Sequence, residues 1–168
     1  MPKDESWRNW KDSFPPEELA KLVEGEVNLP DILGNKDVLD ADTTAFAMNM
    51  GHTFFMAGRY QDAELVFIGL RMCQPENSFH ASALGAIYVA EKRYDDALKV
   101  LDIAVKLDKT NFEALFNRAQ THLGLGKTKE AIADFKAVTT TPKVDPGFAS
   151  NAAGYLKLLE SAQKGNKK

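Results

Sequence analysis

Met56–Phe67 reads MAGRYQDAELVF, and thirty-four residues on Ala90–Leu101 reads AEKRYDDALKVL. Thirty-four further on, Gly124–Phe135 reads GLGKTKEAIADF. Each copy has a turn, a Tyr or Thr, an acid followed by Ala, and a large apolar residue. Self-similarity at a fixed period of this length signals stacked supersecondary units, none able to bury its apolar face alone.

The copies align in register from Thr44, Ser78 and Phe112. Gly51, Gly85 and Ala119 are small residues in a first helix, and Ala63, Ala97 and Ala131 are their counterparts in a second. Phe67, Leu101 and Phe135 are the large apolar partners. Small residues let antiparallel helices approach closely, and the large ones fill the space beside them. Gly58 and Gly126 give the turn its conformational freedom, and Lys92 stands in that place in the second copy. Helical spacing marks Leu98, Leu101, Val105 and Leu107 as the buried face of the second copy.

Composition narrows the function. The 168 residues are 44% hydrophobic and 27% charged, enough for one domain with its own core. A net charge of −3 argues against nucleic acid as a partner, since phosphate binding needs a basic patch. A single cysteine, Cys73, excludes an internal disulfide framework and fits a reducing compartment. No apolar run reaches the ~18 residues of a membrane span, and the N-terminus lacks the pattern of a signal peptide. The expected location is the cytoplasm, with no membrane insertion. His52, His80 and His122 have no metal-ligand spacing with one another or with Cys73, so they read as surface or packing side chains. Cys73 reads as a buried structural thiol. No metal, cofactor or catalytic residue is expected, and the protein reads as a binder, not an enzyme.

These residues resemble the tetratricopeptide repeat over about Thr44 to Pro142. The resemblance implies an all-α fold, a right-handed superhelical stack of three helical hairpins at 44–77, 78–111 and 112–142. An N-terminal helical segment (1–40) precedes it. A C-terminal capping helix (145–163) follows, with Phe148, Ala152, Tyr155, Leu156 and Leu159 on one stripe, and 164–168 form a basic tail. Arg118, His122 and Thr128 stand where the pattern prefers apolar or aromatic residues, so the third repeat is expected to pack least tightly.

Family geometry puts the first helix of each hairpin on the concave side of the stack. The implied groove residues are Met48, Asn49, His52 and Phe55, then Phe79, Ser82, Ala83, Ala86 and Val89, then Phe116, Asn117, Gln120 and Leu123. They are mostly apolar, with small residues in the middle and a few amides. That composition suits an extended peptide held by apolar anchors and backbone contacts. The other reading is that some of these aromatics pack on the chain's own N-terminal segment. The two-carboxylate clamp with which some such repeats grip chaperone tails is not matched: its positions carry Met48, His52, Ala83, Glu113 and Asn117.

The layout is also similar to the class II chaperones of bacterial type III secretion, which hold hydrophobic translocator proteins before export. KLVEGEVNLPDIL (Lys21–Leu33) has the shape of their N-terminal turn, with one glycine, Gly25, in place of two. The resemblance implies a hydrophobic client held by an extended segment. It also implies a homodimer through Trp7, Trp10, Phe14, Leu19, Leu22 and Val23, residues that could instead cover the first repeat. The alternative function is a scaffold or assembly subunit of a larger complex.

Overall fold

The computed structural model describes residues 39–165, together with Lys21. The N-terminal helical segment, the turn at Gly25 and the contacts expected of Trp7, Trp10, Phe14, Leu19, Leu22 and Val23 lie outside the described residues. So does the end of the basic tail.

Residues 41–165 form seven helices: α1 (Ala41–Met56), α2 (Tyr60–Cys73), α3 (Ser78–Ala90), α4 (Tyr94–Leu107), α5 (Phe112–Gly124), α6 (Thr128–Thr140) and α7 (Pro146–Gly165). The described residues hold no strand. The fold is all-α and built of helical hairpins. Two compact units divide at His80 and Ala81.

In the first unit, Asp40 caps α1 by accepting from the Thr43 backbone N–H at 2.7 Å. That bond and a second from the Thr43 side chain hold the Asp40 carboxyl below its usual range. The hairpin partner α2 packs so close that a Cβ on Gly51 would lie 2.7 Å from the Phe67 ring. Gln74 Nε2 donates to Thr44 Oγ1 at 3.1 Å and ties the far ends of the hairpin.

The second unit repeats the design. A side chain at Gly85 would collide with Leu101, so the glycine sets how closely α3 approaches α4. The buried face of α4 is Ala97, Val100, Leu101 and Ala104. Leu98 and Val105 are half-buried, and Leu107, expected on that face, is 42% exposed. It is the last residue of α4, where the helix ends at Asp108. Asn111 caps α5 by accepting from Ala114 N–H at 3.0 Å. Leu115, Phe116, Ala119, Ala131, Phe135, Val138 and Ala152 then form one buried core, with Phe148, Tyr155, Leu156 and Leu159 of α7 laid against it.

All three hairpin turns close alike. The backbone N–H of Arg59, Arg93 and Lys127 donates to the carbonyl of Phe54, Tyr88 and His122, each at 2.8 Å. The residue before each donor is left-handed: Gly58 (φ 72°), Lys92 (φ 60°) and Gly126 (φ 73°). This is the Schellman ending, which satisfies two carbonyls at the end of a helix.

The third repeat corrects the expectation of loose packing. Ala119, Ala131, Phe135 and Val138 are fully buried. Arg118 spans two helices, donating to Asp134 Oδ1 and Oδ2 at 2.8 Å each and to Asp102 Oδ1 at 2.9 Å. A forked guanidinium with two carboxylates holds the place that an apolar side chain takes in the consensus.

Candidate peptide-binding faces

The expected binding side chains arise from α1, α3 and α5, where every third or fourth residue returns to one helical face. In the first unit, Asn49 and His52 are exposed and Met48 and Phe55 half-buried. Phe79 is 50% exposed, and Met56, at the end of α1, is 70% exposed. Phe46 (70%) and Met50 (37%) also show apolar surface on α1 that sequence reasoning did not assign to a site.

In the second unit, Ala83, Ala86 and Val89 of α3 are half-buried, as are Asn117, Gln120 and Leu123 of α5. Ser82 and Phe116 are different. Ser82 is 1% exposed, with no hydrogen-bond partner for its Oγ. Phe116 is 7% exposed because α7 covers it: its ring meets Phe148 edge-on at 5.2 Å, Phe135 at 5.5 Å and Tyr155 at 6.0 Å. Phe116 is thus an anchor of the core and not a side chain on open surface.

One feature went unnoticed in the sequence. Ser150, Asn151, Gly154, Tyr155 and Leu158 of α7 line an open hollow of about 270 Å³, beside which Leu158 stands 65% exposed. The signal was available: Ser150, Asn151 and Gly154 fall thirty-four residues after Phe116, Asn117 and Gln120.

The titratable groups offer support and no chemistry. Burial, then the Arg71 charge, pushes His80 down to about 4; the backbone at Gln74 and Leu70 and the charge of Glu76 oppose the shift. Neither ring nitrogen of His80 has a partner in good hydrogen-bond geometry. His122 is also lowered, by burial first, though its Nε2 lies 3.7 Å from Asp134 Oδ2. Hydrogen bonding to Asp134 raises Arg118. Cys73, expected to be buried, is half-buried, and desolvation raises its thiol, the opposite of an activated nucleophile. Among the described residues no three His, Cys, Asp or Glu side chains come together to hold a metal ion, and no helix is long and apolar enough to cross a membrane.

Geometry of this kind defines a repeat protein. Two family profiles agree: a TPR repeat matches residues 85–126 and a tetratricopeptide repeat matches 112–141. Residues 85–141 of the chain carry tetratricopeptide repeats.

Among particular proteins, the fold is similar to PcrH in complex with the chaperone binding region of PopD. The TM-score is 0.68 at 23% identity, over 75% of this chain and 97% of that one. It is also similar to the type III secretion translocator chaperone SycD of Yersinia enterocolitica (TM-score 0.65, 22% identity, 71% and 91% covered). A third likeness is the first TPR of Spaghetti (RPAP3) bound to an HSP90 peptide (TM-score 0.66, 20% identity, 75% and 97% covered). In sequence, a J domain-containing co-chaperone of Fusarium oxysporum is 41% identical over 68 residues, 40% of this chain. The chain spans 12% to 25% of the length of the curated relatives it matches.

Proposed function

We propose that the protein is a cytoplasmic chaperone that holds a hydrophobic client, such as a secreted translocator, by an extended segment laid along the first helices of its hairpins. The observation that carries this reading is the chemistry on those helices. Phe79 and Met56 stay open to solvent at 50% and 70%, and Ala83 and Ala86 of α3 are small and half-buried. Exposed apolar surface of this kind is costly unless something covers it for part of the protein's life. Proteins of the same fold support the idea: PcrH and SycD are chaperones, and PcrH binds a segment of PopD.

An acidic tail is a poorer fit. The positions that would clamp its carboxylates carry Met48, His52, Ala83 and Glu113, and a carboxylate beside Glu113 is repelled. Dimerisation through the N-terminal tryptophans belongs to the same proposal.

The test starts from a phage-displayed random dodecapeptide library panned on the full chain. A selected peptide, made with a fluorescein label, is titrated against wild type and Ala86→Trp. The expected peptide is apolar, and Ala86→Trp binds it at least about tenfold more weakly while keeping its helical circular dichroism. Equal binding by a folded Ala86→Trp overturns the proposal and leaves the hairpins as an assembly scaffold.

A further inference from the structure

We infer that the first hairpin, α1 and α2, opens as a separate unit of the fold, and that protonation of the buried His80 drives the opening while the second unit stays closed. The opening belongs to the fold itself and does not depend on the peptide-binding reading above.

Packing supplies the first argument. Gly51 is the one buried residue among the sixteen of α1, so no large apolar side chain of that helix is fully withdrawn from water. Phe46 and Met56 stand well exposed on it. The matching helix of the third repeat, α5, buries Ala114, Leu115, Phe116, Ala119 and Thr121. Burial of apolar surface is the main force that closes a helix on its neighbours, and α1 has little of it. That places α1 at the low-stability end of the chain. Its partner α2 buries Asp62, Glu64 and Arg71 among its apolar residues, and desolvating charge offsets much of what pairing contributes.

The second argument is His80. It is fully buried on the first turn of α3 and is the last residue of the first unit. Neither ring nitrogen has a partner in good hydrogen-bond geometry. A buried polar group in that position costs free energy that water restores once the site opens. The groups that act on the ring are the Arg71 guanidinium and the backbone at Leu70 and Gln74, from α2 and its C-cap, and Glu76 in the connection to α3. Lifting α2 away therefore hydrates the ring.

Charge gives the direction. Closed, the ring stays neutral down to about pH 4, through burial first and the like charge of Arg71 second, with the backbone at Gln74 and Leu70 and the charge of Glu76 in partial opposition. Open, it titrates near 6.5. Between these values the open form holds a proton that the closed form refuses, so opening becomes easier as pH falls. The second unit is held differently. Its own His122 is lowered too, by burial first, but Asp134 Oδ2 lies 3.7 Å from its Nε2. A carboxylate thus stands beside any charge that His122 takes up, and the Phe116, Phe135 and Tyr155 rings pack together in the core beneath α7.

The experiment is hydrogen–deuterium exchange of the full chain, read by mass spectrometry at pH 7.5 and pH 5, with exchange times scaled to the intrinsic rate at each pH. Protection in peptides from 41–77 is expected to fall about thirtyfold, the factor by which protonation at pH 5 favours a form whose histidine titrates near 6.5. Peptides from 112–156 lose a markedly smaller factor. His80→Phe abolishes the extra loss in 41–77, as does His80→Leu, the second variant should the larger ring disturb the start of α3. His122→Phe leaves that loss in place. An equal loss in the two regions, or none in 41–77, overturns the separate opening, and wild type alone decides this. A loss in 41–77 that persists in a folded His80→Phe or His80→Leu, or that vanishes in His122→Phe, overturns His80 as its cause.

Discussion

Lys92 has the left-handed φ of 60° that Gly58 and Gly126 adopt at the same place in their own turns. A residue with a Cβ loses roughly 1–2 kcal/mol in that conformation. Glycine recovers most of this and returns part through the larger entropy of the unfolded chain. Lys92→Gly is therefore expected to stabilise the protein by about 0.5–1 kcal/mol, and Gly126→Lys to destabilise it by a similar amount. Urea denaturation followed by circular dichroism checks both, and a lower midpoint for Lys92→Gly would refute the assignment of strain. Sequence alone shows that the second turn lacks the glycine of its siblings. It does not show whether the backbone changes shape to suit lysine or keeps its shape despite it. The structure answers that the Schellman ending is kept, because Arg93 N–H still reaches the Tyr88 carbonyl at 2.8 Å.

Between helices, a single residue is read correctly only with its neighbours. Arg118 breaks the apolar consensus, and taken alone it predicts loose packing. Its partners lie sixteen residues before and after, Asp102 on α4 and Asp134 on α6. A hairpin period brings those positions together, so the signal was present as a spacing between charges. Phe116 fails differently. Register assigns it correctly to a helix face, but only the path of α7 decides that Phe148 and Tyr155 cover it. The period itself, the hairpins and the α7 stripe were legible because they follow from repetition and helical spacing. The depth of each side chain was not, because it depends on the element packed above.

The Arg118 arrangement makes a firm prediction. Asp134 is nearly buried and Arg118 mostly so, with side-chain exposures of 9% and 20%. Removing the carboxylate leaves the guanidinium with only the exposed Asp102. Asp134→Ala is expected to cost about 2 kcal/mol, below the 3–5 kcal/mol of a fully buried pair. The double variant with Arg118→Met should recover much of that loss. A double-mutant cycle with no coupling between the two positions would remove the ion pair from the account of the third repeat.

Across the whole molecule, the buried His80 and the half-buried His122 bear on how stability depends on pH. His80 is fully buried with a pKa lowered to about 4, and His122 is lowered in the same direction. An unfolded histidine titrates near 6.5. Between pH 6.5 and about 4 the unfolded chain therefore holds more protons than the folded one, and stability falls as pH falls. The histidine contribution is fully present above pH 6.5 and is lost on acidification through this window. His80 alone accounts for about 2 kcal/mol between pH 7.5 and pH 5. Asp40 does not confuse the reading: its carboxyl is lowered from 3.8, so its contribution disappears only at lower pH. The groups facing His80 explain why protonation is resisted. Arg71 lies close enough to add repulsion, and Glu76 only partly offsets it. The expected result is a urea midpoint that drops between pH 7.5 and 5, with the drop markedly smaller in His80→Phe. Because the comparison is between slopes, a constant cost of the substitution cancels. An unchanged slope in a folded His80→Phe would show that His80 does not titrate with unfolding, and would move the pH dependence to His122.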